Sequence, residues 1–192
     1  MSDTAEGDIT EGNDTAVSVY LGRGPALAEE LVKELGARGK MIAAAESCTA
    51  GLASDFIAGV PGASDVFWGA YITYTADAKV RMLGVPVKLI KKHGVISRPV
   101  ALAMAEGALE KSGAFWAFSV TGLAGPGGDA SKTPSGVSIG TVWIGVTGRD
   151  GEISGPLRSE AKMFFFKGSR SEVREAAAAA ALEELLKRIH SV

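Results

Sequence analysis

Apolar and polar positions alternate along this chain at two periods, and the period changes where the turn residues fall. From Pro25 to Arg38 the apolar residues Leu27, Leu31, Val32 and Leu35 lie three and four apart, with Gly39 just beyond. That spacing predicts an amphipathic helix, with proline in its first turn and glycine past its end. Met41 to Ala45 is a short continuous apolar run that leads directly into Glu46-Ser47-Cys48-Thr49-Ala50-Gly51, after which Leu52, Ala53, Phe56 and Ile57 resume the helical spacing. The pattern reads strand, tight turn, helix.

Val66 to Thr75 is rich in aromatic and β-branched residues and reads as a strand, followed by a short helix over Ala76 to Leu83. A charged helical turn around Lys88 to Lys92 precedes His93-Gly94, and Arg98-Pro99 opens a helix that runs through Met104 and Leu109 to Lys111. Phe115 to Thr121 is a strand, and Gly122-Leu123-Ala124-Gly125-Pro126-Gly127-Gly128 is a loop, because that much Gly and Pro disfavours either regular structure. Val137 to Thr147 and Ile153 to Phe166 read as strands joined at Arg149-Asp150-Gly151, where Asp-Gly signals an antiparallel hairpin. Ser171 to Ile189 is an Ala-rich helix with Ser171 as its N-cap and Leu182, Leu185, Leu186 and Ile189 on its buried face.

Strands alternate with helices through two thirds of the chain and a hairpin follows, which predicts an α/β fold: a three-layer α/β/α sandwich around a mixed, partly antiparallel sheet. With 192 residues the expectation is a single domain over residues 16–192. Residues 1–15 are acidic and without apolar periodicity, so a disordered tail is expected there.

Composition narrows the function. The formal charge of −2 and a pI near 5.8 provide no broad basic field, which argues against nucleic acid as a partner. Every long apolar run is interrupted by charge, and the first residues lack the basic start and apolar core of a secretory leader, so no membrane partner is expected. Cys48 is the only cysteine, which excludes an internal disulfide and fits a reducing cytoplasm. Without the spacings of a zinc site, no metal and no cofactor are expected.

Ser47 falls where an apolar strand gives way to a helix, a position that exposes a side chain beside the unpaired N–H groups of the first helical turn. Such groups near Thr49 to Gly51 can hold an oxyanion; the plainer reading is that Ser47 or Thr49 caps the helix. A serine nucleophile needs a base. His190 lies next to the C-terminus and His93 beside a glycine after a basic turn, neither a promising setting. That leaves lysine or tyrosine, and Lys79 and Tyr74 are candidates by position, against a plain reading as a solvated lysine and a half-buried strand tyrosine. In the glycine loop, backbone N–H groups can approach a phosphate with Thr121 adding a hydroxyl, although a wide turn has the same composition. Arg170 precedes the last helix, where a cation and a helix N-terminus together suit an anion, although a solvated arginine would look the same. Lys88, Lys91 and Lys92 read as a solvated helix face.

Three blocks carry a resemblance. The first is Ala45 to Gly51, with Tyr71-Ile72-Thr73-Tyr74-Thr75-Ala76-Asp77-Ala78-Lys79 and Met82-Leu83-Gly84-Val85; the second is Ser119 to Gly128; the third is Gly168-Ser169-Arg170. In this order, over residues 25–190, they resemble the CinA C-terminal, nicotinamide-nucleotide amidohydrolase family, and three separated blocks are more specific than any one. The resemblance implies a catalytic group of Ser47, Tyr74 and Lys79 acting on the carboxamide of nicotinamide mononucleotide, with nicotinate mononucleotide and ammonia as products. It implies a nucleotide site that draws on Thr49, Gly51, Thr121, Gly122, Gly125, Gly127, Gly128 and Arg170, and a homodimer. Larger relatives carry a second domain resembling molybdopterin-binding folds, so a stand-alone deamidase is the expectation here. The alternatives are a serine amidase for another amide and a nucleotide-binding module without turnover. Two positions depart from the family pattern: the segment from Lys132 to Gly140 is longer than usual, and Ser169 stands where an acidic residue is common.

Overall fold

The computed structural model describes residues 14–126, 137–149 and 155–192. Among these residues the strands are β1 (Asp14–Ala16), β2 (Ile42–Glu46), β3 (Phe67–Ile72), β4 (Trp116–Gly122), β5 (Thr141–Arg149) and β6 (Leu157–Lys167). The helices are α1 (Gly24–Arg38), α2 (Leu52–Ala58), α3 (Ala76–Leu83), α4 (Val87–His93), α5 (Arg98–Ser112) and α6 (Arg170–His190). One sheet joins the strands in the order β1-β6-β5-β4-β2-β3. β2 is parallel to both β3 and β4, β5 is antiparallel to β4 and β6, and β1 is parallel to β6. The fold is the three-layer α/β/α sandwich with a mixed sheet.

The two-residue period of β2 explains the layers. Ile42 and Ala44 point into the core that holds α1, α2 and α6, whereas Ala43 and Ala45 point into the one that holds α3 and α5. All five residues of β2 are buried, as expected of a strand covered on both faces. On the first face, Ala176 to Ala181 of α6 are six consecutive residues with no exposed surface. Their small side chains let α6 sit in contact with the sheet and with α1 and α2 together. On the second face, an added Cβ at Gly107 of α5 would stand 2.1 Å from the Leu83 carbonyl, so that glycine permits the close approach of α5 to the end of α3.

Four expectations change. Asp14 and Thr15, assigned to the tail by composition, belong to β1 and pair with Phe165 and Phe166, because β6 offers an open edge to which the short segment adds by backbone hydrogen bonding. β3 ends at Ile72, so Tyr74 follows the strand. β5 starts at Thr141, since the chain turns over Ser138 to Gly140 and Gly140, at φ 97°, packs against the Phe166 carbonyl. The N-cap of α6 is Ser169, and Ser171 lies in the first turn. Ser169 has Glu172 three residues on and completes a reciprocal capping box; Ser171 would have Arg174 there, which cannot return the bond. The expected tail up to Asn13, the Asp150-Gly151 turn and most of the lengthened segment after the glycine loop lie outside the described residues.

Candidate active site

Strands β2, β3 and β4 run in the same direction, so their carboxyl ends share one edge of the sheet, where open α/β sheets bind ligands. Ser47 follows β2, Tyr74 lies two residues past β3, and Gly122 ends β4. Three segments far apart in sequence therefore converge. The Ser47 N–H donates to the Val120 carbonyl at 2.9 Å and the Thr73 N–H to the Glu46 carbonyl at 2.7 Å, so the strand ends are tied on both sides of the serine.

The turn after Ser47 is strained. Ala50 has φ 52° and Gly51 φ 98°, two successive left-handed residues of which one carries a Cβ, at a cost of about 1–2 kcal/mol. Two charged side chains hold it. The Glu46 carboxylate, with no exposed surface, accepts from the N–H groups of Gly51 (2.9 Å), Ala53 (3.3 Å) and Ser54 (2.9 Å) and from the Ser54 hydroxyl. From α6, Arg174 donates through Nε to the Cys48 carbonyl at 3.1 Å and through its terminal nitrogen to the Thr49 carbonyl at 2.8 Å. The Ala50 N–H donates to the Ser47 carbonyl at 3.1 Å. Of the amides from Thr49 to Gly51, only that of Thr49 has no acceptor among the described residues. The Gly51 N–H, one of those expected at an oxyanion site, donates to Glu46.

Lys79 is the decisive side chain. It is 1% exposed, and its Nζ lies 2.7 Å from Ser47 Oγ and 2.7 Å from the Thr73 carbonyl. α3 delivers it: Thr75 caps that helix by accepting the Ala78 N–H at 3.1 Å, and Lys79 follows one residue later. Burial away from water disfavours the ammonium and lowers its pKa to about 8. An ionised Cys48 would raise it again, but burial pushes the Cys48 thiol up to about 12, so that neighbour is uncharged at neutral pH. A serine hydroxyl bonded to a lysine of lowered pKa is the arrangement a nucleophile and its base require. The buried, protonated Cys48 has the character of an inert thiol.

This chain belongs to the CinA C-terminal domain family. The family model matches residues 25–189, which include the whole site. The chain is 42% identical over 163 residues to a CinA-like protein of Akkermansia muciniphila, covering 85% of this chain and 37% of that protein. It thus spans little more than a third of the length of that relative. Among solved structures, the competence/damage inducible protein CihA of Agrobacterium tumefaciens matches with a TM-score of 0.75 at 36% identity, over 88% of this chain and 96% of that one. The competence damage-inducible protein of Klebsiella pneumoniae matches with a TM-score of 0.78 at 28% identity, over 87% and 97%.

The remaining residues sort by what they touch. Tyr74 is 56% exposed, and its hydroxyl accepts from Arg170 at 2.9 Å; among the described residues it bonds to neither Ser47 nor Lys79. Arg170 packs its side chain against Gly125, where an added Cβ would meet it at 2.9 Å, so the glycine loop and the start of α6 are in contact. Thr121 is buried and donates its hydroxyl to the Val95 carbonyl at 2.8 Å, which removes it from the surface that a phosphate would meet. Gly122 sits against the Thr141 carbonyl and serves the β4–β5 ladder. Among the described residues the buried Thr49 hydroxyl has no partner, and neither has that of Thr73. Gly127 and Gly128 lie outside the described residues. His190, 3.9 Å from Glu34, is at the far end of α6, about 30 Å from Arg170 by the helical rise. Among the described residues there is no cluster of metal-ligating side chains, and no helix is long and apolar enough to cross a membrane.

Glu46 and Arg174 were missed by sequence reasoning, yet each carried a signal. Glu46 is an acid at the end of an otherwise apolar buried strand, within reach of the helix start that follows it. Arg174 is one turn after Arg170, in the part of a helix where the macrodipole disfavours cations.

Proposed function

We propose that this chain is an amidohydrolase that converts nicotinamide mononucleotide and water into nicotinate mononucleotide and ammonia through an acyl-enzyme on Ser47. The observation that supports it is the 2.7 Å approach of Lys79 Nζ to Ser47 Oγ in a buried setting that lowers the lysine pKa. At pH 7 a pKa of about 8 leaves roughly a tenth of the lysine neutral, against less than a thousandth at the free value near 10.4.

The neutral amine takes the hydroxyl proton as Ser47 Oγ bonds to the carboxamide carbon, while a remaining N–H still donates to the Thr73 carbonyl. The Thr49 N–H receives the oxyanion. The Lys79 ammonium returns its proton to the amide nitrogen, the C–N bond breaks and ammonia leaves. Water then attacks the acyl ester, Lys79 again takes the proton, and Ser47 departs as the hydroxyl. Arg170 and the first turn of α6 meet the nucleotide phosphate, beside the glycine loop. Tyr74, held by Arg170, acts at the mouth of the site and contributes to the proton path once substrate is bound. The enzyme works in the cytoplasm as a homodimer.

Incubating the purified protein with nicotinamide mononucleotide and assaying ammonia and nicotinate mononucleotide tests the reading. Turnover that disappears in Ser47→Ala is expected. A wild-type protein that binds the nucleotide without releasing ammonia would make it a binding module, and release from other amides alone would make it a different serine amidase.

A further inference from the structure

Arg174 bonds to two successive backbone carbonyls, and the geometry of the peptide group makes that more than an anchor. The peptide bonds of the described residues are all trans, so each carbonyl and the N–H of the same unit point in opposite directions. Fixing the Cys48 carbonyl toward α6 directs the Thr49 N–H away from α6. Ser47 Oγ also turns away from α6, toward Lys79 on α3 in the opposite layer. The Thr49 carbonyl, bonded at 2.8 Å, fixes the next peptide unit, whose N–H is already used by the Ser47 carbonyl. Among the described residues, the one amide of the Thr49 to Gly51 turn without an acceptor is therefore the one that Arg174 aims.

Electrostatics acts in the same sense. The Glu46 carboxylate binds three amides of this turn and the following helix, and its charge opposes any developing anion nearby. The guanidinium on the other side offsets that field and polarises the Cys48–Thr49 peptide, which makes its N–H a stronger donor. Only arginine presents donors in a planar fork that can serve two adjacent carbonyls at once.

We propose that Arg174 is a positioning residue that, through the Cys48–Thr49 peptide, holds the Thr49 N–H as the oxyanion donor for the reaction of Ser47. The inference rests on the serine acyl-enzyme reading above. Arg174→Met keeps the apolar stem and removes every donor; Arg174→Lys keeps the charge but replaces the planar fork by a single nitrogen, which cannot reproduce the Nε and terminal-nitrogen contacts together. Ammonia release from nicotinamide mononucleotide should fall in kcat by ~100-fold in Arg174→Met, the lower end of the loss of one oxyanion donor, and by a smaller factor of ~10-fold in Arg174→Lys, which keeps the charge. KM should stay within about twofold and the acidic limb of the pH profile should not move, because Arg170 and Lys79 are untouched. Labelling of Ser47 by a fluorophosphonate should slow in the same order. If Arg174→Met does not fold, Arg174→Lys decides.

A kcat within about twofold of wild type in both variants would overturn the proposal while leaving the serine reading intact. So would a loss in which KM rises and the pH limb shifts together with kcat, since that marks a general collapse of the turn. If the wild type is inert toward the nucleotide, the labelling rates decide: slower labelling in the variants supports the role of Arg174, equal rates refute it. A wild type whose Ser47 does not label at all sinks both readings.

Discussion

Lys79 Nζ and Ser47 Oγ lie 2.7 Å apart although 32 residues separate them in sequence, and the lysine that makes this contact is 1% exposed. The pair joins a helix on one face of the sheet to the end of β2, the strand next to the edge strand β3. Burial of this lysine lowers its pKa, and that gives the most direct tests.

With Lys79 as the proposed base, turnover should rise with pH through an acidic limb near pH 8, because burial lowers the lysine pKa to about 8 and the base must be neutral. Lys79→Arg should lower kcat by at least ~100-fold with nucleotide binding retained, since arginine cannot be deprotonated in a protein. A pH–rate profile of wild type and variant checks both; an arginine variant with near-normal kcat would remove Lys79 as the base.

The same burial predicts a stability effect of definite sign. Between the folded pKa of about 8 and the unfolded value near 10.4, the unfolded chain binds the proton and the folded chain does not, so stability rises with pH across that window. Below pH 8 the full penalty of ~3 kcal/mol weighs on the wild type. Lys79→Met should therefore be the more stable protein at pH 7, and its advantage should shrink toward pH 10. Urea unfolding at pH 7 and pH 10 measures the difference; an advantage independent of pH would contradict it.

Glu46 should be among the most sensitive positions of the chain. Its carboxylate satisfies three backbone N–H groups and the Ser54 hydroxyl in a site with no solvent. Glu46→Ala leaves those donors unpaired and should lower stability by roughly 3 kcal/mol or more. Glu46→Gln should recover part of this, because one amide oxygen still accepts. Thermal melts of the two variants, with Ser54→Ala as a milder control, should fall in that order.

Tyr74→Phe separates two roles for that residue. The variant frees Arg170 of its hydroxyl acceptor without touching the Ser47 to Lys79 contact. If Tyr74 chiefly orients Arg170 toward the phosphate, KM rises several-fold with kcat little changed; if it carries a proton, kcat falls. Steady-state kinetics on nicotinamide mononucleotide and on its dephosphorylated nucleoside distinguish these, because only the nucleotide carries the phosphate that Arg170 is proposed to meet.

Much of the architecture was legible without coordinates. The helix over Ala76 to Leu83 is bounded in the sequence by Thr75 and Gly84, and the structure uses both, the threonine as N-cap and the glycine at φ 74° as C-cap. Such signals are local: capping chemistry, the two side-chain periods and turn residues act over a few positions. The position of Ser47, between an apolar strand and a helix, was legible for the same reason. One place where these signals misled was α6, where Ser169 and Ser171 are both competent caps and only the reciprocal bond with Glu172 separates them.

Other features were decided by the tertiary structure alone. Nothing within Tyr74-Thr75-Ala76-Asp77-Ala78-Lys79 distinguishes a solvated lysine from a buried base; that depends on the packing of α3 by α5, for which Gly107 makes room. Thr121 looked available in sequence and is consumed by the Val95 carbonyl, while Arg174 looked like part of a helix face and instead grips the turn that carries Ser47. Local periodicity and capping determine which segments become strands and helices, because those energies arise between near neighbours. Desolvation and the pairing of backbone groups across layers arise between residues distant in sequence, so the chemistry of Lys79, Glu46 and Arg174 exists only once the sheet and its two helical layers have closed.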